Sequence, residues 1–301
     1  MKKTLIIFFA SLGIIFSSCK FGMFPLAFTD QNVEDRVHSI TRLDDSHLPS
    51  GTNGLSKYSF LIVTDLHIGA DRYTHDDEAF FRWFENQLNS DDASRRPQFI
   101  INLGDSSDSG REAEFKEYVE WTKKVKELAR NGKDRINDFK IYSVIGNHDI
   151  YNNGQDYYLT YMYPHFYSYC FDFANDPSTQ GFEFFFLDSA NGSLGRHQLN
   201  DLERKLKANS KPKIILTHCP VYSDGVLLVS FHDSLECAKI LTLVAENNAK
   251  LMLEGHAHRN SSYDYGSMYE EVTSSYANNN TINLITIDET TGTCSTDRMK
   301  F

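Results

Sequence analysis

The chain has 301 residues, 41% apolar and 13% aromatic, enough to bury one sizeable core and too apolar to stay disordered. Charged residues make up 24% of it and the formal net charge is −11, with no Lys/Arg cluster interleaved with aromatics. That argues against a protein that coats nucleic acid, although an acidic nuclease with a local cationic groove stays open.

Met1-Lys2-Lys3 gives a positive start, and Leu5 to Phe16 is apolar apart from Ser11 and Gly13. The run falls short of the roughly 20 residues a spanning helix needs and matches a secretory apolar segment. Ser17 and Ser18 then precede Cys19. The whole resembles a bacterial lipoprotein signal. Residues 1–18 are expected to be removed and Cys19 lipidated, leaving an exported protein anchored to the membrane, periplasmic or at the cell surface. Asp44-Asp45, Pro49, Gly51 and Gly54 break up the next stretch, so residues 19–57 read as a tether and 58–301 as the domain.

From Tyr58 onward, short β-like runs alternate with helix-like stretches, the pattern of an α/β domain. The runs are Ser59–Val63, Phe99–Leu103, Ile141–Ile145, Phe182–Leu187, Lys213–Leu216 and Leu251–Leu253, with a closing strand at Thr281–Ile287. Between them, apolar residues recur at helical spacing: Phe80, Trp83, Phe84 and Leu88, then Phe115, Tyr118, Val119, Thr122, Val125 and Leu128. Leu199, Leu202 and Leu206 form a third stripe and Leu235, Ala238 and Leu241 a fourth; all four are expected to face the core. Ser109-Gly-Arg-Glu112 reads as a capping box opening the second helix. Cys170, Cys219, Cys237 and Cys294 allow three pairings in an exported chain, and free thiols stay equally open. No CxxC spacing occurs, so a thiolate zinc site is not expected.

Five of the apolar runs end in residues that can bind a metal: Asp65-Leu-His67, Gly-Asp105, Gly-Asn147-His148-Asp149, Thr-His218 and Gly-His256-Ala-His258. Ligands of α/β sheets gather beyond the carboxyl ends of strands, so five adjacent strand ends can share one cleft. Residues i and i+2 of an extended segment face the same way, which pairs Asp65 with His67 and His256 with His258. The glycines before Asp105, Asn147 and His256 permit tight exits. Each motif alone is weak. Their joint order is not.

The ordered set DLH, GDSSD, GNHD, THC and GHAH resembles the calcineurin-like metallophosphoesterase family over about residues 58–287. The resemblance implies a single α/β domain of two packed mixed β-sheets flanked by helices, an α/β/β/α sandwich. It implies two divalent metal ions, Mn, Fe or Zn, which carboxylate and imidazole ligands suit. Asp65, His67 and His258 would bind the first, Asn147, His218 and His256 the second, and Asp105 would bridge them. His148 would stand at the leaving group as general acid, with Asp108 orienting it. The second motif lacks the tyrosine of purple acid phosphatases, so their iron–tyrosinate chemistry is not expected.

The implied activity is hydrolysis of phosphate monoesters or diesters, small or lipid-linked, by in-line attack of a metal-bound hydroxide. The alternative is a catalytically silent surface binding protein on the same scaffold. A nucleic-acid polymer is not the expected substrate. His75, His165, His197, His232, His38 and His47 read as ordinary surface histidines, and Arg111 as a surface cation. Asp149 reads as loop support, Asp188 as a turn residue, and the aromatic stretch Tyr157 to Phe173 as core.

Overall fold

The computed structural model describes residues 32–50, 52–71, 76–222 and 230–301. Cys19 and the signal-like segment, and likewise His75, lie outside them. The strands are β1 (Thr41–Arg42), β2 (Lys57–Val63), β3 (Pro97–Asn102), β4 (Ile141–Ser143), β5 (Tyr169–Phe173) and β6 (Phe182–Phe186). They continue with β7 (Lys213–Leu216), β8 (Ala249–Glu254), β9 (Ser261–Asp264), β10 (Tyr269–Val272), β11 (Thr281–Asp288) and β12 (Thr293–Lys300). The helices are α1 (Val33–Arg36), α2 (Asp77–Leu88), α3 (Glu112–Asn131), α4 (Gln155–Tyr161), α5 (Gly195–Leu206), α6 (Ser234–Glu246) and α7 (Tyr276–Asn279).

Two mixed sheets form, in the orders β12-β11-β2-β3-β4 and β1-β5-β6-β7-β8-β10-β9. Strand alternation sorts the apolar residues into three layers. Phe60, Ile62, Phe99, Ile101, Phe184, Phe186, Ile214, Leu216, Leu251 and Leu253 point between the sheets and fill the central core. Their neighbours Leu61, Val63 and Ile100 point outward to Phe80, Phe84, Phe115 and Trp121 of α2 and α3. On the far side Phe185, Ile215 and Met252 meet Leu199, Leu202, Leu206, Ile240, Leu243 and Val244 of α5 and α6. The result is the four-layer α/β/β/α sandwich.

The structure corrects several expectations. Strand ends β2, β3 and β4 are adjacent in one sheet, while β7 and β8 belong to the other, so the cleft straddles two sheets rather than crowning one. Part of the expected tether is built into the domain: β1 pairs in parallel with β5, and Arg36 of α1 makes a buried two-pronged ion pair with Asp188 at 2.8 and 3.0 Å. Asp188 is therefore a buried charge partner and not merely a turn residue. The stripe on α6 is out of phase: Leu235 is 79% exposed, and Ile240, Leu243 and Val244 face the core. The carboxylate capping α3 is Glu114, which accepts from the backbone of Ser109 and Arg111; Glu112 instead accepts from Tyr161 Oη at 2.6 Å. Cys170, Cys219, Cys237 and Cys294 are free thiols.

Candidate metal centre

Within each sheet the chemistry-bearing strands run parallel to one another, β2 with β3 and β3 with β4, and β7 with β8. Their carboxyl ends therefore open on one side of each sheet. Backbone bonds then tie the two rims together. His256 N–H donates to Asp65 Oδ2 at 3.1 Å, Tyr276 and Ala277 N–H donate to the carbonyls of Thr64 and Asp65, and His218 Nδ1 donates to the Leu103 carbonyl at 2.8 Å. The last bond orients the ring and aims His218 Nε2 into the site, the usual outer-shell arrangement of a metal-binding imidazole.

The backbone here is bent unusually hard. Asp65, His67, Asp105, His256 and His258 all have φ between +46° and +63°. Non-glycine residues rarely adopt this region, and strain of about 1–3 kcal/mol per residue persists only where the surroundings impose it, typically at functional sites. Gly146 is dictated by closeness: a Cβ there would lie 2.2 Å from Asp105 Oδ1. Gly104, at φ +102°, would set its Cβ 2.8 Å from His218 Nδ1.

The side chains converge as two half-sites. In the first, His67 Nε2 and His258 Nε2 stand 3.1 Å apart, with Asp65 Oδ1 at 3.2 Å from His258 Nε2 and 3.9 Å from His67 Nε2. In the second, His218 Nε2 lies 3.0 Å from Asn147 Oδ1, and the His256 ring packs edge-on to that of His218 at 5.0 Å. Asp105 stands between. Its Oδ2 is 3.3 Å from His218 Nε2 and 3.9 Å from His67 Nε2, while its Oδ1 accepts the His148 N–H at 2.8 Å.

These residues fit divalent ions. Atoms bound to one ion at about 2.1 Å and roughly at right angles lie about 3 Å apart, the spacing seen here. Asp65 Oδ1 is buried and lacks a well-formed hydrogen bond, with the His258 ring 3.2 Å away, and a bound cation would satisfy it. The carboxylates are ionised, while burial of His218 is outweighed by Asp105, which holds the ring up at about 9 with a proton that a bound metal would displace. Burial opposes ionisation of Asp65, but the His258 imidazole outweighs it and holds the carboxyl at about 2. Burial likewise opposes Asp105, and His218 and His148 bring it well below the ordinary carboxylate range. Burial, reinforced by His218, pulls His256 down to about 4, leaving a neutral ring.

Around this core the expected helpers His148 and Asp108 stand together, joined through the backbone of Asp108. His148 Nδ1 donates to the backbone carbonyl of Asp108 at 2.6 Å, while the Asp108 carboxylate is 3.7 Å from that nitrogen. The same carboxylate approaches His67 Nδ1 at 3.3 Å. Asp108 thus orients His148 through its main chain and supports His67 with its side chain. Asp149 supports the loops, accepting from Ser107 and Gly146 N–H at 2.9 Å each; burial, with Asp105 near, pushes its carboxyl up to about 7. His38, His165, His197, His232 and Arg111 are exposed, and none joins the cluster; nor does His47, hydrogen-bonded to Asp44. Tyr158, Tyr169 and Phe171 are core.

Two residues beside the site were not expected there from the sequence. Cys219 brings its sulfur within 4.8 Å of ring nitrogens of His218 and His256, so a thiol lies nearer the second half-site than the absence of CxxC suggested. Tyr151 accepts a hydrogen bond from Asn147 Nδ2 at 2.9 Å. The only available signal was its place three residues after His148.

Residues 58–260 match the calcineurin-like phosphoesterases, and the chain belongs to that family. No curated protein matches it in sequence. Among solved structures it is similar to a dimetal phosphatase from Danio rerio, at 11% identity and a TM-score of 0.54 over 79% of this chain and 98% of that one. It is similar also to GAP50, the anchor in the inner membrane complex of Plasmodium, at 16% identity and a TM-score of 0.53 over 81% and 89% of the two chains. Purple acid phosphatase PPD1 from yellow lupin seeds aligns at 11% identity and a TM-score of 0.56 over 81% of this chain and 51% of that one. At these identities the likeness is one of fold.

Proposed function

We propose that this protein is a two-metal phosphoesterase hydrolysing small or lipid-linked phosphate monoesters or diesters, exported and held at the membrane by lipid on Cys19. The observation that carries the catalytic reading is the meeting of Asp65, His67, Asp105, Asn147, His218, His256 and His258 at ligand spacing, with Asp105 between the halves. Two divalent ions bound there would supply an acidified water and a cationic clamp for phosphoryl oxygens. The chain's own residues do the rest. Asp65 and Asp105 temper the charge so that an anionic ester is attracted and its product can leave. The Asp108 carbonyl keeps the proton on His148 Nδ1, leaving Nε2 to carry a second proton to the departing alkoxide.

The dimetal phosphatase from Danio rerio shares the fold, which supports this reading. GAP50, named as an anchor, lends some weight to a silent binding protein. That alternative gives the strained backbone and the buried Asp65 Oδ1 no role, and it ranks second.

Purified protein, stripped of metal and reloaded with Mn²⁺, should hydrolyse a chromogenic phosphomonoester or the matching diester, and Asp105→Asn should be dead. If neither ester is touched with Mn, Fe or Zn, the binding-protein reading takes over. For export, Cys19→Ala should move the protein from the membrane fraction to the soluble fraction; no change would refute the lipid anchor.

A further inference from the structure

Tyr151 is unused by the chemistry above, yet it is built into the wall of the second half-site. Its oxygen accepts from Asn147 Nδ2 at 2.9 Å, and Asn147 Oδ1 is the atom facing His218 Nε2 at 3.0 Å. Its ring lies 4.4 Å from that of His148, tilted by 39°. The phenol therefore stands between the amide at the second half-site and the expected general acid.

A tyrosine hydroxyl can accept and still donate its own hydrogen. Here the accepting side is taken, and no residue among those described receives the O–H hydrogen. The position is held from both sides of the backbone. Gly154 N–H donates to the Tyr151 carbonyl at 2.9 Å, and Gly110 packs so tightly beneath it that a Cβ would lie 1.9 Å from that oxygen. The next two residues, Asn152 and Asn153, are both left-handed, at φ +52° and +59°. A fixed donor with an unclaimed hydrogen beside a candidate phosphoryl site suits an oxyanion.

We propose that Tyr151 Oη donates a hydrogen bond to a non-bridging oxygen of the phosphoryl group, so that Asn147 and Tyr151 together set the substrate against the second half-site. The proposal rests on the phosphoesterase reading and adds a substrate-contacting residue to it. Such a donor binds the tetrahedral product phosphate and, more strongly, the five-coordinate arrangement that vanadate mimics, because a fixed donor can match the in-plane position the equatorial oxygens take up in the transition state.

The test uses the full chain loaded with Mn²⁺, comparing wild type with Tyr151→Phe, which keeps the ring and its contact with His148. Metal content, vanadate and phosphate affinity by calorimetry, and kcat and KM are measured together. Tyr151→Phe should retain both metals, bind vanadate about 10–100-fold more weakly and lose kcat by a similar factor, with KM changed far less. Unchanged vanadate affinity overturns the proposal. So does a loss of affinity that tracks a loss of metal, for then the phenol only holds Asn147. Should the phenylalanine variant fail to fold, 3-fluorotyrosine at 151 keeps the hydroxyl and sharpens it as a donor; vanadate should then bind more tightly, and no change overturns the proposal. Wild-type protein that binds vanadate but hydrolyses no ester sinks the hydrolase reading alone, and the variant's vanadate affinity still decides Tyr151.

Discussion

His148 and Asp108 show how much turns on which atom of a residue does the work. The Asp108 carbonyl fixes His148, and the Asp108 carboxylate faces His67. His148→Ala should therefore cost about 10²–10⁴-fold in kcat for alkyl esters with poor leaving groups and little for activated aryl esters, read by kcat across a leaving-group series. Equal losses across the series would remove His148 from the role of acid. Asp108→Ala should behave otherwise. It should weaken Mn²⁺ binding about 10–100-fold by calorimetry while leaving the leaving-group dependence as in wild type; a steeper dependence would show that the carboxylate serves His148 after all. The candidate ligands were legible in the sequence because DLH, GNHD and GHAH place their donors in short, rigid spacings. The split role of Asp108 was not, since it depends on the path of the turn between Asp105 and Glu112. Tyr151 was silent for a similar reason: three residues after His148, it returns to the site only because Gly110 lets the backbone fold over it.

Among the elements, the loop ends are set by packing as much as by motif. Gly146→Ala would drive a methyl to within 2.2 Å of Asp105 Oδ1. The protein should stay folded and lose metal, seen as reduced metal content with an intact circular dichroism spectrum; full metal occupancy would mean that the loop yields easily. At the N-terminus, α1 carries Arg36 into a buried pair with Asp188. Removing one partner leaves a buried charge unpaired, so Arg36→Ala should destabilise the fold by about 3–5 kcal/mol in denaturant titration. A change under about 1 kcal/mol would return the segment to the status of a tether. That docking was missed although Val33, Val37, Ile40 and Leu43 recur at helical spacing and are all buried; four apolar residues in a polar stretch do not name a partner that lies 152 residues away. The phase error on α6 has a like origin: Leu235 sits two residues past the N-cap Asp233, where an apolar residue can face outward without disturbing the stripe that follows.

For the whole molecule, strand alternation made the α/β class legible, and only the resemblance pointed to two packed sheets. Local pattern does not record which strands are neighbours, so the placing of β2, β3 and β4 in one sheet and β7 and β8 in the other was hidden. The consequence is functional, because the candidate centre joins two sheet rims and Asp105 is the side chain that both halves approach. Bound ions would then act as a clasp between the sheets, and chelation should lower the melting temperature without unfolding the chain at room temperature. The most direct test of that shared centre is the electron paramagnetic resonance spectrum of protein loaded with Mn²⁺ to saturation. Two ions per chain with an exchange-coupled spectrum, replaced in Asp105→Asn by the spectrum of isolated Mn²⁺, is the predicted result. Two ions that never couple, or a single ion at saturation, would contradict it.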